Sequence, residues 1–227
     1  MKTTIYLVRH AEAEGNAQEF FQGNINTALT SKGEQQLTYL AERFRDIPLD
    51  AVYVSPYQRT IQTAEAVNRY HKLPLIQEND LREIGGGHWE GKRWSELPAL
   101  FPEAYRLWTE EMWHFRAPNG EPITDVFSRM TDTLRRIAEQ HFGQTIAVIS
   151  HGCALRNFLC AVEFQDITRL KDVGWADNTA VSCVTYDTEQ GWTLVFKNDS
   201  THLPPECSTL RTSKWCRYET QKDSQTR

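Results

Sequence analysis

Short apolar runs alternate along the chain with stretches whose apolar residues recur at helical spacing. Thr3 to Val8, rich in β-branched and aromatic residues, predicts a buried strand. Ala51 to Val54, Leu73 to Ile76 and Thr145 to Ile149 predict three more. The last of these is apolar almost throughout, as in a strand covered on both faces of a parallel sheet. Between them, Leu37, Leu40, Phe44 and Ile47 mark one helix, with Ser31 and Glu34 placed for a capping box. Tyr57, Ile61, Ala64 and Val67 mark a second. Ile123, Val126, Phe127, Met130, Leu134 and Ile137 mark a third, and Leu155 to Val162 a fourth. Val181 to Tyr186 and Trp192 to Phe196 flank a polar turn and predict a closing hairpin. Strand and helix in alternation predict an α/β fold: a three-layer α/β/α sandwich around a mostly parallel central sheet.

Two stretches break this rhythm. Residues 88 to 116 hold Trp89, Trp94, Trp108 and Trp113, four of the chain's seven tryptophans. They predict a helical lid insertion, either a small packed subdomain or a wall whose aromatics shape a substrate pocket. From Asn198 onward the chain turns polar and carries Pro204-Pro205, which predicts a loosely held C-terminal tail over 199–227 that Trp215 and Tyr218 could pin in part. The remainder, residues 1–198, reads as one domain.

Composition narrows the partners. The chain has 227 residues, 40% hydrophobic and 24% charged, with a formal net charge of −5. Nothing in it resembles the basic footprint of a nucleic-acid binder. No apolar run approaches the ~20 residues that cross a bilayer, and no charged-then-apolar leader opens the chain. Five cysteines without a C-x-x-C predict a reduced, cytoplasmic protein with thiols in the core. Cysteines and histidines do not fall at ligand spacing, so no metal and no cofactor is expected.

The candidate chemistry lies at the ends of the strands. The first run closes on Arg9-His10, a planar cation beside an imidazole. Ser55-Pro56-Tyr57-Gln58-Arg59 follows the second, Leu81-Arg82-Glu83 the third, and Ser150-His151-Gly152 the fourth. In an open α/β sheet, ligands bind beyond the carboxyl ends of the strands. Guanidinium groups there suit phosphate or carboxylate oxygens. Each residue alone has an ordinary structural reading, as a surface ion pair, a loop acid or a helix cap. Their placement at one rim is what points to a site.

These residues, with Asn16, Phe21-Gln22-Gly23, Leu29-Thr30-x-x-Gly33, Trp89-Glu90-Gly91 and Gly120-Glu121, resemble in order the histidine phosphatase superfamily, also called phosphoglycerate mutase-like. The resemblance runs from about residue 4 to about residue 187. Ala11, where most members have glycine, is expected to narrow the phosphate site, and Gly85-Gly86-Gly87-His88 is a looser loop than usual. The resemblance implies phosphoryl transfer through a phosphohistidine on His10. Arg9, Arg59, His151 and Asn16 would surround the transferring group, with Gln22 and Gly23 in the phosphate-binding set. Nearby guanidiniums would keep His10 neutral. Glu83 would protonate the leaving alkoxide and then activate water.

Trp89-Glu90-Gly91-Lys92-Arg93-Trp94 stands where mutases of the family carry a different pattern, so the phosphatase branch is the leading expectation. The enzyme would be a metal-independent phosphomonoesterase acting on a small phosphorylated metabolite, an α-ribazole phosphatase being a narrower version. The alternatives are a phosphoglycerate mutase and a non-catalytic phosphate-binding module. Lys92, Arg93 and Arg116 are candidate contacts for a second acidic group, although solvated lid charges are the plainer reading. The family also allows a homodimer. Cys153, beside His151-Gly152, is the thiol to watch for reagent inhibition.

Overall fold

A computed structural model describes residues 1–212. The chain forms β1 (Thr3–Arg9), α1 (Glu14–Ala17), α2 (Ser31–Phe44), β2 (Ala51–Val54), α3 (Gln58–Val67) and β3 (Leu75–Gln77). It continues through α4 (Leu97–Leu100), α5 (Pro102–Glu110), α6 (Ile123–Gln140), β4 (Thr145–Ser150) and α7 (Gly152–Phe164). It closes with β5 (Val181–Asp187), β6 (Gly191–Asp199) and α8 (Thr209–Thr212). The strands make one sheet in the order β3-β2-β4-β1-β5-β6. β3, β2, β4 and β1 are parallel, and the closing hairpin runs antiparallel to them.

The alternation of side chains along each strand sorts the core into two layers. Ile5 and Leu7 of β1, Tyr53 of β2, and Ile146 and Val148 of β4 join the inner stripes of α6 and α7. Val8, Val52, Val54, Ala147 and Ile149 point the other way, onto Leu40 and Phe44 of α2 and Ala64 and Val67 of α3. Helices thus cover both faces, and the sandwich read from the sequence is the fold observed. The third strand is shorter than expected and starts two residues later. β6 runs on to Asp199, with register shifts against β5 near Val181 and Cys183.

The start of α2 differs by one residue from the expectation. Thr30, not Ser31, is the N-cap, and its Oγ1 accepts the Gly33 N–H at 3.0 Å. Gly33 is forced there by a close approach: a Cβ would lie 2.1 Å from the Glu12 carbonyl oxygen. The helix is therefore seated against the turn that follows His10.

The inserted segment packs into the body of the protein and also reaches a cleft. Trp89 is fully buried, with Phe115 at 4.8 Å and Phe21 at 5.5 Å between ring centroids, and it joins the same core as the inner face of the sheet. Trp94 and Trp108 line that cleft.

The polar stretch after Asn198 is not loosely held over its described part. Gln36 Nε2 donates to the Cys207 carbonyl at 2.7 Å. The Asp177 carboxylate accepts from the Ser208 hydroxyl and from the backbone N–H groups of Thr209 (2.9 Å) and Leu210 (3.2 Å). Thr209 Oγ1 donates to Glu12 at 2.8 Å, and Thr30 Oγ1 donates to the other oxygen of the same buried carboxylate, also at 2.8 Å. Small polar side chains read as tail in the sequence because their partners lie far back in the chain. Trp215, Tyr218 and the fifth cysteine, Cys216, lie outside the described residues.

Candidate active site

Strand register builds the site. Arg9 pairs with Ser150 and Val54 with Ile149, so the ends of β1, β2 and β4 are level. His10 continues β1: its N–H donates to the Ser150 carbonyl at 3.0 Å, and its own carbonyl accepts from Asn178 Nδ2 at 2.8 Å. The ring is fixed too. Nδ1 lies 2.7 Å from the Ala11 carbonyl, a contact that only a protonated Nδ1 can make. The lone pair is thereby left on Nε2.

A cleft with about 560 Å³ of empty space, its solvent-open mouth included, is lined by His10, Arg9, Asn16, Gln22, Gly23, Arg59 and Glu83. Of the catalytic and phosphate-binding candidates read from the sequence, His151 alone does not reach its wall. It is fully buried against His10, with ring centroids 5.2 Å apart. Ser55 Oγ lies 2.8 Å from His151 Nε2, and Nδ1 has no partner. With the hydroxyl donating, the ring proton sits on Nδ1.

Both imidazoles are held well below the ordinary histidine range. Burial is the largest cause for each, with the Arg59 guanidinium next. Guanidiniums alone were the sequence-based reason for a neutral His10; the structure puts desolvation ahead of them.

Arg59 is fully buried at the start of α3. A cation is poorly placed in a first helical turn. Here it is offset by the carbonyls of Ile25 (2.7 Å) and Gly23 (2.9 Å), which accept its Nη1 and Nη2. Burial pushes its pKa down to about 10, which leaves it cationic at neutral pH. Arg9, 5% exposed, donates to the Ala176 carbonyl. Gly152 lets it in, since a Cβ there would lie 3.2 Å from Arg9 Nε. Asn16 uses its Oδ1 to accept from Ala13 N at 3.0 Å, which leaves its amide NH2 for the cleft.

Glu83 sits over the first turn of α7. Its carboxylate accepts from the backbone N–H groups of Ile84 (3.0 Å), Ala154 (2.9 Å) and Cys153 (3.1 Å). The loop carrying it is clamped from α6. Arg129 donates to the carbonyls of Asp80 (2.8 Å), Arg82 (2.9 Å) and Glu83 (3.2 Å), and to both oxygens of Glu121 (2.7 and 3.0 Å). Glu121 in turn accepts from Gly85 N at 3.1 Å, and Ser150 Oγ donates to the Leu81 carbonyl at 2.7 Å.

Arg129 escaped the sequence reading because a polar residue on an amphipathic helix reads as solvent-facing. Trp175 and Asn178 escaped because no pattern surrounds them. Two other expectations are corrected. Ala11 is fully buried and absent from the cleft wall, so its methyl does not narrow the phosphate site. Cys153 reaches the wall but is 3% exposed, and burial, with Glu83 beside it, pushes its thiol well above the usual range. Such a thiol reacts poorly.

A mixed α/β sandwich with two imidazoles, two guanidiniums and a carboxylate gathered at the carboxyl ends of its parallel strands defines a phosphoryl-transfer type of centre. The chain belongs to the histidine phosphatase superfamily (branch 1), whose family model matches residues 5–200. It is 32% identical over 180 residues to phosphoserine phosphatase 1 of Hydrogenobacter thermophilus, covering 79% of this chain and 85% of that one. It is 30% identical over 209 residues to the probable phosphoglycerate mutase GpmB of Escherichia fergusonii, covering 88% and 94%. Among solved structures it superposes on Bacillus stearothermophilus YhfR with a TM-score of 0.81 at 29% identity, covering 88% of this chain and 98% of that one.

Proposed function

We propose that this protein is a phosphomonoesterase that works through a phosphohistidine on His10 Nε2. The observation that carries this is the commitment of Nδ1 to the Ala11 carbonyl, which aims an unprotonated Nε2 at a cleft flanked by Arg9 and Arg59. In the first half-reaction the Nε2 lone pair forms a bond to phosphorus and the bond from phosphorus to the ester oxygen breaks. The departing oxygen takes a proton from Glu83. In the second, Glu83 takes a proton from water, the hydroxide bonds to phosphorus, and the phosphorus–nitrogen bond breaks with its electrons returning to Nε2. Inorganic phosphate leaves and Glu83 is again protonated.

Arg9, Arg59 and the Asn16 amide, all on the cleft wall, are the donors assigned to the phosphoryl oxygens, where charge spreads during transfer, and His151, packed on the His10 ring, is assigned to hold that ring in place. Hydrolysis is favoured over mutase action because, among the described residues, no cation lines the cleft beyond Arg9 and Arg59 to grip a sugar-acid carboxylate while the phosphoenzyme waits. The four described cysteines are free and buried, which supports the cytoplasmic reading.

The test is phosphate release from p-nitrophenyl phosphate with chelator present, beside an acid- or alkali-quenched reaction that traps the phosphoenzyme. Expected are turnover in the wild type, none in His10→Ala, and a trapped adduct stable to alkali but lost in acid. A His10→Ala protein that turns over at a near-normal rate removes the nucleophile. Efficient interconversion of 2- and 3-phosphoglycerate favours the mutase.

A further inference from the structure

The outer half of the cleft is built for something other than a second acidic group. Phe20, Phe21, Ile84, Trp94, Trp108 and Trp175 form its wall. Three tryptophans are linked in series: Trp94 to Trp108 at 5.7 Å and Trp108 to Trp175 at 6.1 Å between ring centroids, the second pair stacked at 28°. The far end of the row is fixed by Arg156, whose guanidinium lies 4.4 Å from the Trp175 ring centroid and whose Nε donates to the Val173 carbonyl. The wall is therefore apolar and held in place before any ligand arrives.

Charge is as informative as shape. Among the described residues lining the cleft, the charged side chains are Arg9, Arg59 and Glu83, the three already assigned to phosphoryl transfer. The lid cations considered from the sequence as contacts for a second acid are not on the wall. Lys92 and Arg93 are exposed, with the Arg93 backbone held by Glu96, and Arg116 Nε donates to the Gly120 carbonyl at 3.0 Å. A carboxylate on the leaving group would give up water against aromatic faces and meet no cation beyond Arg9 and Arg59 among the described residues. An apolar or flat neutral group would bury its surface there at no such cost.

We infer that the aromatic wall selects phosphomonoesters of neutral alcohols bearing a flat or bulky apolar group, and discriminates against phosphorylated amino acids and sugar acids. This rests on the phosphatase reading above and specifies its substrate class. It also separates this chain from the activity named for its phosphoserine phosphatase relative.

The experiment compares kcat/KM for 2-phenylethyl phosphate, glycerol 1-phosphate, phosphoserine, 3-phosphoglycerate and phosphocholine. All are alkyl esters, so that leaving-group chemistry is similar. p-Nitrophenyl phosphate serves as the reference for turnover. Expected is a preference of about tenfold or more for 2-phenylethyl phosphate over phosphoserine and 3-phosphoglycerate, the scale for burying one aromatic ring. Phe20→Arg, at a half-buried position of the wall, should shift the ratio towards 3-phosphoglycerate.

Phosphoserine or 3-phosphoglycerate equal to or better than 2-phenylethyl phosphate overturns the inference while the phosphatase reading stands. Phosphocholine as the preferred ester also overturns it, because the wall would then be a cage for a cation. No release from any ester, the reference included, removes the phosphatase reading and this inference together. The wild-type comparison decides the matter even if Phe20→Arg fails to fold.

Discussion

Arg129→Met tests whether the clamp on the Glu83 loop matters for proton delivery. The guanidinium makes five hydrogen bonds from α6, three to the backbone carbonyls of residues 80, 82 and 83 and two to Glu121. The pair is nearly buried, with side-chain exposures of 10% for Arg129 and 13% for Glu121. Removing one partner of such a pair typically costs about 3–5 kcal/mol of stability, because the other charge is left behind. The kinetic effect has a different signature. Glu83 remains in the chain, but the loop carrying it loses the contacts that set its height over α7. A displacement near 1 Å costs about 10²-fold where geometry is tight, and a general acid is worth about 10²–10⁴-fold.

The expected result is a drop in kcat of about 10²-fold for alkyl phosphates, which need a proton on the leaving oxygen, and a much smaller drop for p-nitrophenyl phosphate, which does not. KM should move little, since Arg9 and Arg59 are untouched. The assay is kcat across esters of graded leaving-group basicity, below the melting temperature of the variant, with a thermal melt run in parallel. Arg129→Lys keeps the charge without the fork, so it should recover part of the stability and little of the alkyl-ester rate. Equal losses across the ester series, or none, would refute the positioning role, whatever happens to the melting temperature.

Ser55→Ala removes the hydroxyl that lies 2.8 Å from His151 Nε2, and should slow phosphoenzyme formation about tenfold in rapid-quench experiments. An unchanged burst rate would count against the assigned tautomer. A chain ending at Glu206 strands the buried Glu12 carboxylate, Gln36 and Asp177, and should lose about 1–3 kcal/mol of stability for each group left unsatisfied, together with part of its kcat. Melting and turnover that both match the full chain would show that the docked end is dispensable. Stability should also fall on acidification. His10 and His151 are held well below the ordinary value, and His202, half-buried beside Arg43, is pushed down to about 4 by desolvation and that guanidinium. Between about 6.5 and the folded-state pKa the unfolded chain binds more protons, so each imidazole removes up to about 1.4 kcal/mol per pH unit as pH drops through that window. Urea unfolding at pH 7 and pH 5 measures this, and equal or greater stability at pH 5 from these groups would contradict the burial argument.

What the sequence made legible was whatever local pattern controls. Alternating apolar runs located the strands, because a strand covered on both faces has to be apolar along its length. The residues just past those runs located the site, because parallel strands present their carboxyl ends together. His10, Arg9, Arg59 and Glu83 were found in this way. His151 was found too, though it lies behind His10 rather than on the cleft wall. What stayed hidden depends on long-range contacts. Arg129 reads as a solvated helix residue until the loop of Asp80 to Glu83 is seen under it. Ser208 and Thr209 read as polar tail until Asp177 and Glu12 are seen to take their hydrogens. The methyl of Ala11 reads as an obstacle in the site until the turn after β1 is seen to bury it.

The proposed nucleophile is His10, and the groups that support it and its turn come from 168 and 197 positions further along the chain. β1 lies between β4 and β5, Asn178 holds the His10 carbonyl, and Thr209 closes over Glu12. Synthesis must therefore pass Thr209 before the His10 imidazole acquires its final surroundings. Contacts so distant along the chain fold slowly. A nascent chain stalled at any point before β5 would expose His10 without the framework of the proposed site, so phosphate ester cleavage should switch on only after β5 has paired with β1.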